Sequence, residues 1–406
     1  MSSPSTAQLV SRFAEPFHAR YLTQHGAASP LGLWLLLALV APLTDGSSRA
    51  ELERVLGTDA ADASRRAAEL VGTPHPAVAA AVAVWAENSY LDPAGFDAWA
   101  RTLPAAAEVG PVPTPAEADA WAAARTKNLI ERFPVEIDDL TALVLASALA
   151  TRVTWLTPFE DVAGAVLGGE LGTGLALRAP ADSHESYLAE TAAAGLVGVQ
   201  VSGSVDGLRV VSVIAAPEVA AADVHRAAAE VARGDARPVG LFDLPLGAAH
   251  AWEVTERTEK SMGGRAQKES VDAVLPAWEA GTTLDLAGTD GMPAAFRALE
   301  GLLRPECRPG VFEARQVTVA AFSREGFEAA SVTAIAMRVG SVPEQIVVRH
   351  RRATIRFQRP YAVLALAAES VPDVERGWGS VELGAPAWDG VPVFGAWVAR
   401  AVPARP

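Results

Sequence analysis

The chain has 406 residues, half of them hydrophobic and a fifth charged, so it can bury a sizeable core and is not a disordered polymer. Its 34 basic and 48 acidic residues leave a formal charge of −14, with no lysine-rich or arginine-rich block, which argues against nucleic acid or an anionic membrane as a partner. Cys307 is the only cysteine, so an intramolecular disulfide and a thiolate metal cluster are excluded, and seven scattered histidines without an HExxH pair offer no metal site. No cofactor is expected.

Taken in chain order, Leu9, Phe13, Phe17 and Tyr21 recur at a spacing of four and predict a helix within 5–25. Ser29-Pro30 then gives a cap and a proline at the first helical position, opening the apolar run from Leu31 to Ala41. That run is shorter than the about 20 residues a membrane span needs and is bracketed by Pro30 and Pro42, so it predicts a fully buried helix. The start, MSSPSTAQLVSRF, lacks the basic and apolar regions of a secretion signal, which makes the cytoplasm the expected location. Ser48 begins a helix with Leu52, Val55 and Leu56 on one stripe and Gly57 as its stop, and another helix follows in 60–72.

Val78 to Ala86 is alanine-rich and apolar, fitting either a buried strand or a helix. Asp92-Pro93 starts a short helix through Phe96 and Trp99, and Glu108 to Val112 predicts a strand. Pro113-Thr-Pro-Ala-Glu opens a long helix running to about Phe133, with Trp121, Leu129 and Ile130 among its apolar residues. Leu140 to Val153 is a long apolar segment ending at Thr154-Trp-Leu-Thr-Pro-Phe159. The stretch from 160 to 300 is less legible. It offers strands at Leu208–Ala215 and Pro238–Leu244, helices at Glu218–Arg233 and Pro293–Leu303, and turns between Ala280 and Gly288.

From Gln316 to Ser323 the sequence alternates like a strand. Gly326 breaks the run, and Phe327 to Ala336 continues with small residues on a second alternation. Arg349-His-Arg-Arg352 is expected on a solvated loop or edge strand. Strands at Tyr361–Ala368 and Val391–Val402 complete an α+β pattern in a single domain, 1–406, with helices early and strands late.

Motifs for catalysis fail on inspection. There is no G-x-S-x-G elbow, since Ser202-Gly-Ser204 precedes Asp206-Gly207 as a turn, and Ser261 has no lysine three residues on. Gly168 to Gly174 is glycine-rich but lacks the dinucleotide-binding spacing, and Asp138-Asp139 is expected beside a helix end. The sequence gives no sign of an enzyme.

Several segments instead resemble one family in the correct order, the serpins. They are Ser29-Pro-Leu-Gly-Leu-Trp34, Thr44 to Gly57, Trp121 to Pro134, Asp138 to Leu145 with Thr154-Trp-Leu-Thr-Pro-Phe159, Ser323-Arg-Glu-Gly-Phe-Glu-Ala-Ala330, Phe357-Gln-Arg-Pro-Tyr361 and Val393-Phe-Gly395 to Pro403. The resemblance implies a large central mixed sheet with two smaller sheets, helices packed around them, and an exposed reactive-centre loop at about 326–345. It implies a metastable monomer that traps a serine, or a cysteine, endopeptidase as a suicide inhibitor: the cut loop enters the main sheet as a new strand and distorts the acylated protease. It also admits an extracellular role.

By family spacing the cut falls near Gly340-Ser341, with Arg338-Val339 as the neighbouring choice. A cut after Arg338 implies a trypsin-like target, and one after Gly340 an enzyme that accepts small residues. The hinge is Glu325, Gly326, Phe327, Glu328, Ala329 and Ala330, and the sheet-opening region is Ser29, Ser147, Gln316 and Trp155. Departures from the family pattern are also visible. Phe327 stands where a small or β-branched residue is usual, and Arg324 where an acid is usual. Gly32, Ser147 and Gln316 replace a serine, an asparagine and a histidine, which puts the polar network under the sheet in doubt. These departures keep open a non-inhibitory reading, a serpin fold serving as a binding or structural module.

Overall fold

The computed structural model describes residues 3–151, 153–180, 183–262, 266–308, 310, 312–326, 345–372 and 379–403. Helix α1 (Thr6–Tyr21) buries Leu9, Phe13 and Phe17 on one stripe, and a capping box between Ser5 and Gln8 closes its first turn. Strand β1 (Gly26–Ala28) leads into α2 (Pro30–Val40), where all residues but Leu36 are buried. A helix apolar on every side is stable only where neighbours cover every side, and α1, the later helices and two sheets do so here. Helix α3 (Gly46–Leu56) starts two residues before Ser48 and stops at Gly57, whose φ of 76° closes it in the left-handed conformation. Helix α4 (Ala60–Gly72) follows, capped by Asp59.

Val78–Ala86 is a strand, β2, despite its helix-favouring alanines. It pairs along its whole length with 143–151, and nine residues of ladder outweigh the local preference. Next come α5 (Pro93–Ala100), β3 (Glu108–Gly110) and α6 (Pro115–Arg125). The helix expected to reach Phe133 ends at Arg125. Lys127 and Asn128 take φ of 53° and 61°, and Thr126 Oγ1 accepts from the Ile130 N–H at 3.0 Å, so the backbone turns away from the helix. Asp138-Asp139 therefore lies ahead of a strand rather than beside a helix end, with Asp138 Oδ1 accepting from the Leu140 N–H in a local turn. That strand is β4 (Leu143–Thr151).

The middle of the chain is mostly strand: β5 (Glu160–Val162), the short helix α7 (Gly164–Leu167), β6 (Ala176–Arg178), β7 (Glu185–Thr191), β8 (Gly195–Gly203) and β9 (Leu208–Ile214). Ser202, expected in a turn, is a buried residue of β8. Helix α8 (Ala221–Arg233) is followed by β10 (Arg237–Val239), β11 (Gly247–Ala248), β12 (Trp252–Met262), β13 (Gln267–Pro276) and β14 (Trp278–Asp285). Two expectations are corrected here. Only the first residues of Pro238–Leu244 are strand, Leu241–Asp243 forming a 3-10 turn, and most of Ala280–Gly288 is strand instead of turn. The chain ends with α9 (Met292–Glu300), β15 (Arg315–Phe322), β16 (Gln345–Arg356), β17 (Tyr361–Ala367), β18 (Ser370–Pro372), β19 (Ser380–Glu382) and β20 (Pro392–Val398).

The largest sheet has seven antiparallel strands in the order β1-β20-β17-β9-β8-β7-β10. A six-stranded mixed sheet runs β11-β12-β16-β13-β6-β5, with β13 and β16 parallel. The α+β, serpin-like architecture is as the sequence predicts. The sheet expected to dominate it lies, among the described residues, in two pieces, β3-β2-β4 and β14-β15. The basic run Arg349–Arg352 is corrected from edge to interior, since β16 has β12 on one side and β13 on the other. Its charges survive there because acids stand opposite. Glu256 accepts from Arg349 at 2.9 Å and Arg351 at 2.7 Å, Asp272 accepts from Arg352 at 2.7 Å, and Phe242 lies 4.7 Å beneath the Arg351 guanidinium.

Candidate functional site

Strand β4 pairs with β2 on one edge and β15 pairs with β14 on one edge, and no ladder joins β4 to β15 among the described residues. Between their facing edges is a cavity of about 80 Å³, lined among others by Leu145 and Leu149 of β4, Val317 and Thr318 of β15, and Leu33 of α2. Two unpaired strand edges across a slot form a template for one further strand.

The lower end of the slot rests on the start of α2. Gln316 Oε1 accepts from the Ser29 N–H at 3.0 Å while its Nε2 donates to the Ser29 carbonyl at 2.8 Å, so one side-chain amide pairs with a peptide as a strand would. Ser29 Oγ accepts from the Gly32 N–H at 3.3 Å and donates to the Val393 carbonyl of β20 at 2.6 Å. From the other side, Ser147 Oγ on β4 donates to the Gly32 carbonyl at 3.1 Å. Gly32 gives Ser147 its room: a Cβ there would crowd Ser147 Oγ at 3.1 Å and the Leu149 side chain at 3.3 Å, while Gln316 Nε2 at 3.4 Å would be in ordinary contact. The three replacements in this network thus form a connected set of their own. Replacing Gln316 with leucine strands the Ser29 N–H and carbonyl, and is expected to cost about 1–3 kcal/mol in urea unfolding. A variant as stable as the parent would show that water takes over both bonds.

The upper end is held by the hinge. Trp155 Nε1 donates to the Ser323 carbonyl at 3.0 Å, the Trp155 N–H to the Glu325 carbonyl at 3.2 Å, and the Phe159 N–H to the Arg324 carbonyl at 2.8 Å. The Trp155 ring lies 4.9 Å from Phe322, which also packs on Phe159 at 5.4 Å and stacks on Trp278. His184 stacks on Phe159 at 4.2 Å with Nε2 2.9 Å from the Thr157 carbonyl, and burial lowers its pKa to about 4. Arg324, in the place of an acid, meets Asp161 of β5 at 3.5 Å, a half-exposed ion pair beside the hinge. Ser323 and Gly326 close a turn on each other, Ser323 Oγ donating to the Gly326 carbonyl, and Gly326 also bridges to Thr154.

The structure therefore gathers the predicted residues into two groups. Ser29, Ser147 and Gln316 meet beneath the slot, and Trp155 meets Glu325 and Gly326 above it. Phe327, Glu328, Ala329, Ala330, Arg338, Val339, Gly340 and Ser341 lie outside the described residues. Asp161, His184 and the Val393 carbonyl had no signal in the sequence, because isolated residues and a backbone oxygen carry no motif.

Among solved structures this is the fold of the serpins. No protein-family model matches the sequence, and no curated protein matches it. Human thyroxine-binding globulin complexed with thyroxine superposes with a TM-score of 0.61 at 12% identity, covering 98% of each chain. The thermophilic serpin tengpin in its native state gives 0.62 at 13% identity, over 97% of this chain and 92% of tengpin. Serpin48 of the insect Tenebrio molitor gives 0.58 at 15% identity over 97% of both chains. No described helix is long and apolar enough to cross a membrane.

Proposed function

We propose that this chain is a monomeric suicide inhibitor of serine, or cysteine, endopeptidases, working by insertion, between β4 and β15, of the loop from Phe327 up to the cut. The observation that carries this reading is the slot itself: two facing edges without a ladder between them among the described residues, with α2 bound beneath and the hinge above. The Ser323–Gly326 bridge supplies a register, because positions paired across an antiparallel turn keep a constant sum, here 649. Continuing it sets Phe327 opposite Phe322, Ala329 opposite Ala320, Ser331 opposite Thr318 and Thr333 opposite Gln316. Opposite residues share a face, and Thr318 and Phe322 are buried while Val319 is exposed. The small residues would thus point inward, and Glu328, Ala330 and Val332 outward.

The same register locates the obstacle. Phe327 would enter an aromatic nest that Trp155, Phe159, Trp278 and Phe322 already fill, at a cost of about 1–3 kcal/mol. Slow insertion leaves time for deacylation, which releases an intact protease and a cleaved chain. A panel of trypsin-like and small-residue-specific proteases tests the proposal. It predicts an SDS-resistant complex, with the new N-terminus of the released fragment distinguishing a cut after Arg338 from one after Gly340. Cleaved protein alone, with every protease left active, would overturn it. Phe327→Thr should raise the ratio of complex to cleaved product about tenfold, the equivalent of 1.4 kcal/mol in the partition. An unchanged ratio removes the ring from that role.

Phe327 also favours a second reading, in which the fold is a binding or structural module that does not trap proteases. On that reading the Phe327→Thr variant forms no complex either, and cleavage leaves the melting temperature unchanged.

A further inference from the structure

Two histidines far apart in sequence, His18 near the end of α1 and His225 on α8, meet inside the molecule with ring centroids 5.0 Å apart. They are 3% and 2% exposed. His225 Nε2 lies 3.1 Å from the Leu22 carbonyl at the end of α1, while His225 Nδ1 and His18 Nε2 are buried without a hydrogen-bond partner. Both rings abut β20: Gly395 leaves room for His18 where any Cβ would collide with the imidazole, and Trp397 lies 5.6 Å from His225. Two residues earlier the same strand offers the Val393 carbonyl to Ser29 and lines the slot with Phe394.

We infer that His18 and His225 form an acid-sensitive pin, which joins α1, α8 and β20 while neutral and releases β20 beneath the slot when protonated. Among the described residues no acid is bonded to either ring. Helix α3, packed on α1, has Glu51 with Arg297 and Glu53 with the Ala60 N–H, and β7, packed on α8, has Glu185 and, paired with Arg237, Glu190. Helix α2 and β20 carry no ionisable side chain, β9 has only Arg209, and β17 has only Tyr361, itself buried with its pKa pushed up. On α1 and α8 the acids are engaged elsewhere, Glu15 with Arg233, Asp223 with Arg226, and Glu230 with the amides of Ala192 and Ala193. The carbonyl of Leu22 favours a cation on His225, but burial outweighs it and lowers that pKa to about 4. Burial, then repulsion from His225, holds His18 well below 6.5.

The sign of the effect follows from these depressed values. The unfolded chain takes up protons near pH 6.5 that the folded chain refuses until about pH 4. The pin's contribution to stability is whole above pH 6.5 and shrinks as the pH drops from there toward 4, where the rings of the folded protein take up the protons themselves. His184 and His75, also lowered by burial, add to the fall.

Melting temperature and amide hydrogen exchange, measured from pH 7.5 to 5.0 on the full chain, test the inference without any protease, so the result is independent of whether the chain inhibits one. Acidification should lower the melting temperature and speed exchange in 392–398 beyond the intrinsic pH effect. The His18→Gln/His225→Gln variant should lose about half of the melting slope, the rest staying with His184 and His75, and its β20 exchange should no longer respond to pH. An unchanged slope in the variant, or β20 protection indifferent to pH in the parent, would overturn it. Should the double variant not fold, imidazole titration of the parent by NMR serves instead. Two rings that stay neutral down to about pH 5 support the pin, and a pair that titrates near 6.5 sinks it.

Discussion

Cleavage within 327–344 should raise the melting temperature by about 10 °C or more. In the intact chain this segment is tethered at Gly326 on one side and at β16 on the other, and among the described residues β4 and β15 have no ladder between them. Cutting frees one end, and the strand can then pair on both edges. Each inserted residue gains about two hydrogen bonds of roughly 1 kcal/mol net. Burial of small side chains adds about 0.8 kcal/mol per CH₂ equivalent, against about 1.5 kcal/mol of ordering entropy. The surplus is roughly 1 kcal/mol per residue, on the order of 10 kcal/mol for ten residues. For a chain of 406 residues the entropy of unfolding converts this to about 10 °C. Calorimetry before and after limited proteolysis measures the change, and a shift within about 2 °C would contradict loop insertion and favour the binding-module reading.

Replacing Gly326 with alanine should destabilise the protein by about 3–5 kcal/mol, with the hinge as the part that gives way. The residue has φ of 106°, and a Cβ would stand 2.6 Å from the Val153 carbonyl oxygen and 2.9 Å from the Trp155 nitrogen. Both obstacles are backbone, so no side chain can rotate aside. Relief requires moving the turn, and with it the bonds from Trp155 and Phe159 to Glu325 and Arg324. A melting temperature lower by about 4 °C and a red shift in tryptophan emission, as Trp155 loses its packing, are the expected readouts. Gly281→Ala on β14, where a Cβ would meet nothing within 4 Å, is the matched control and should leave both unchanged.

How much of this was legible in the sequence depended on the range of the interaction involved. The opening of α2 at Ser29-Pro30, the stop at Gly57 and the capping of α5 by Asp92 are written in residues a few positions apart, and they fell where expected. The strand up to Ser323 and the break at Gly326 were equally plain, because alternation and a glycine are local signals. The elements that went astray are governed from a distance. Strand β14 looks like turns until β15 pairs with it, and the arginines of β16 look like an edge until Glu256 and Asp272 stand across from them.

The sequence by itself determined the order of the serpin-like segments, the alternation that makes 327–336 capable of becoming a strand, and the bulk of Phe327 at its entrance. Tertiary structure alone decided that β4 and β15 stand apart, that Gln316 and Ser147 tie both to α2, and that Arg324 finds Asp161. It alone brought His18 to His225. Caps and periodicities act through neighbours along the chain, whereas a slot, an ion pair across sheets and a buried imidazole pair exist only once distant segments have packed.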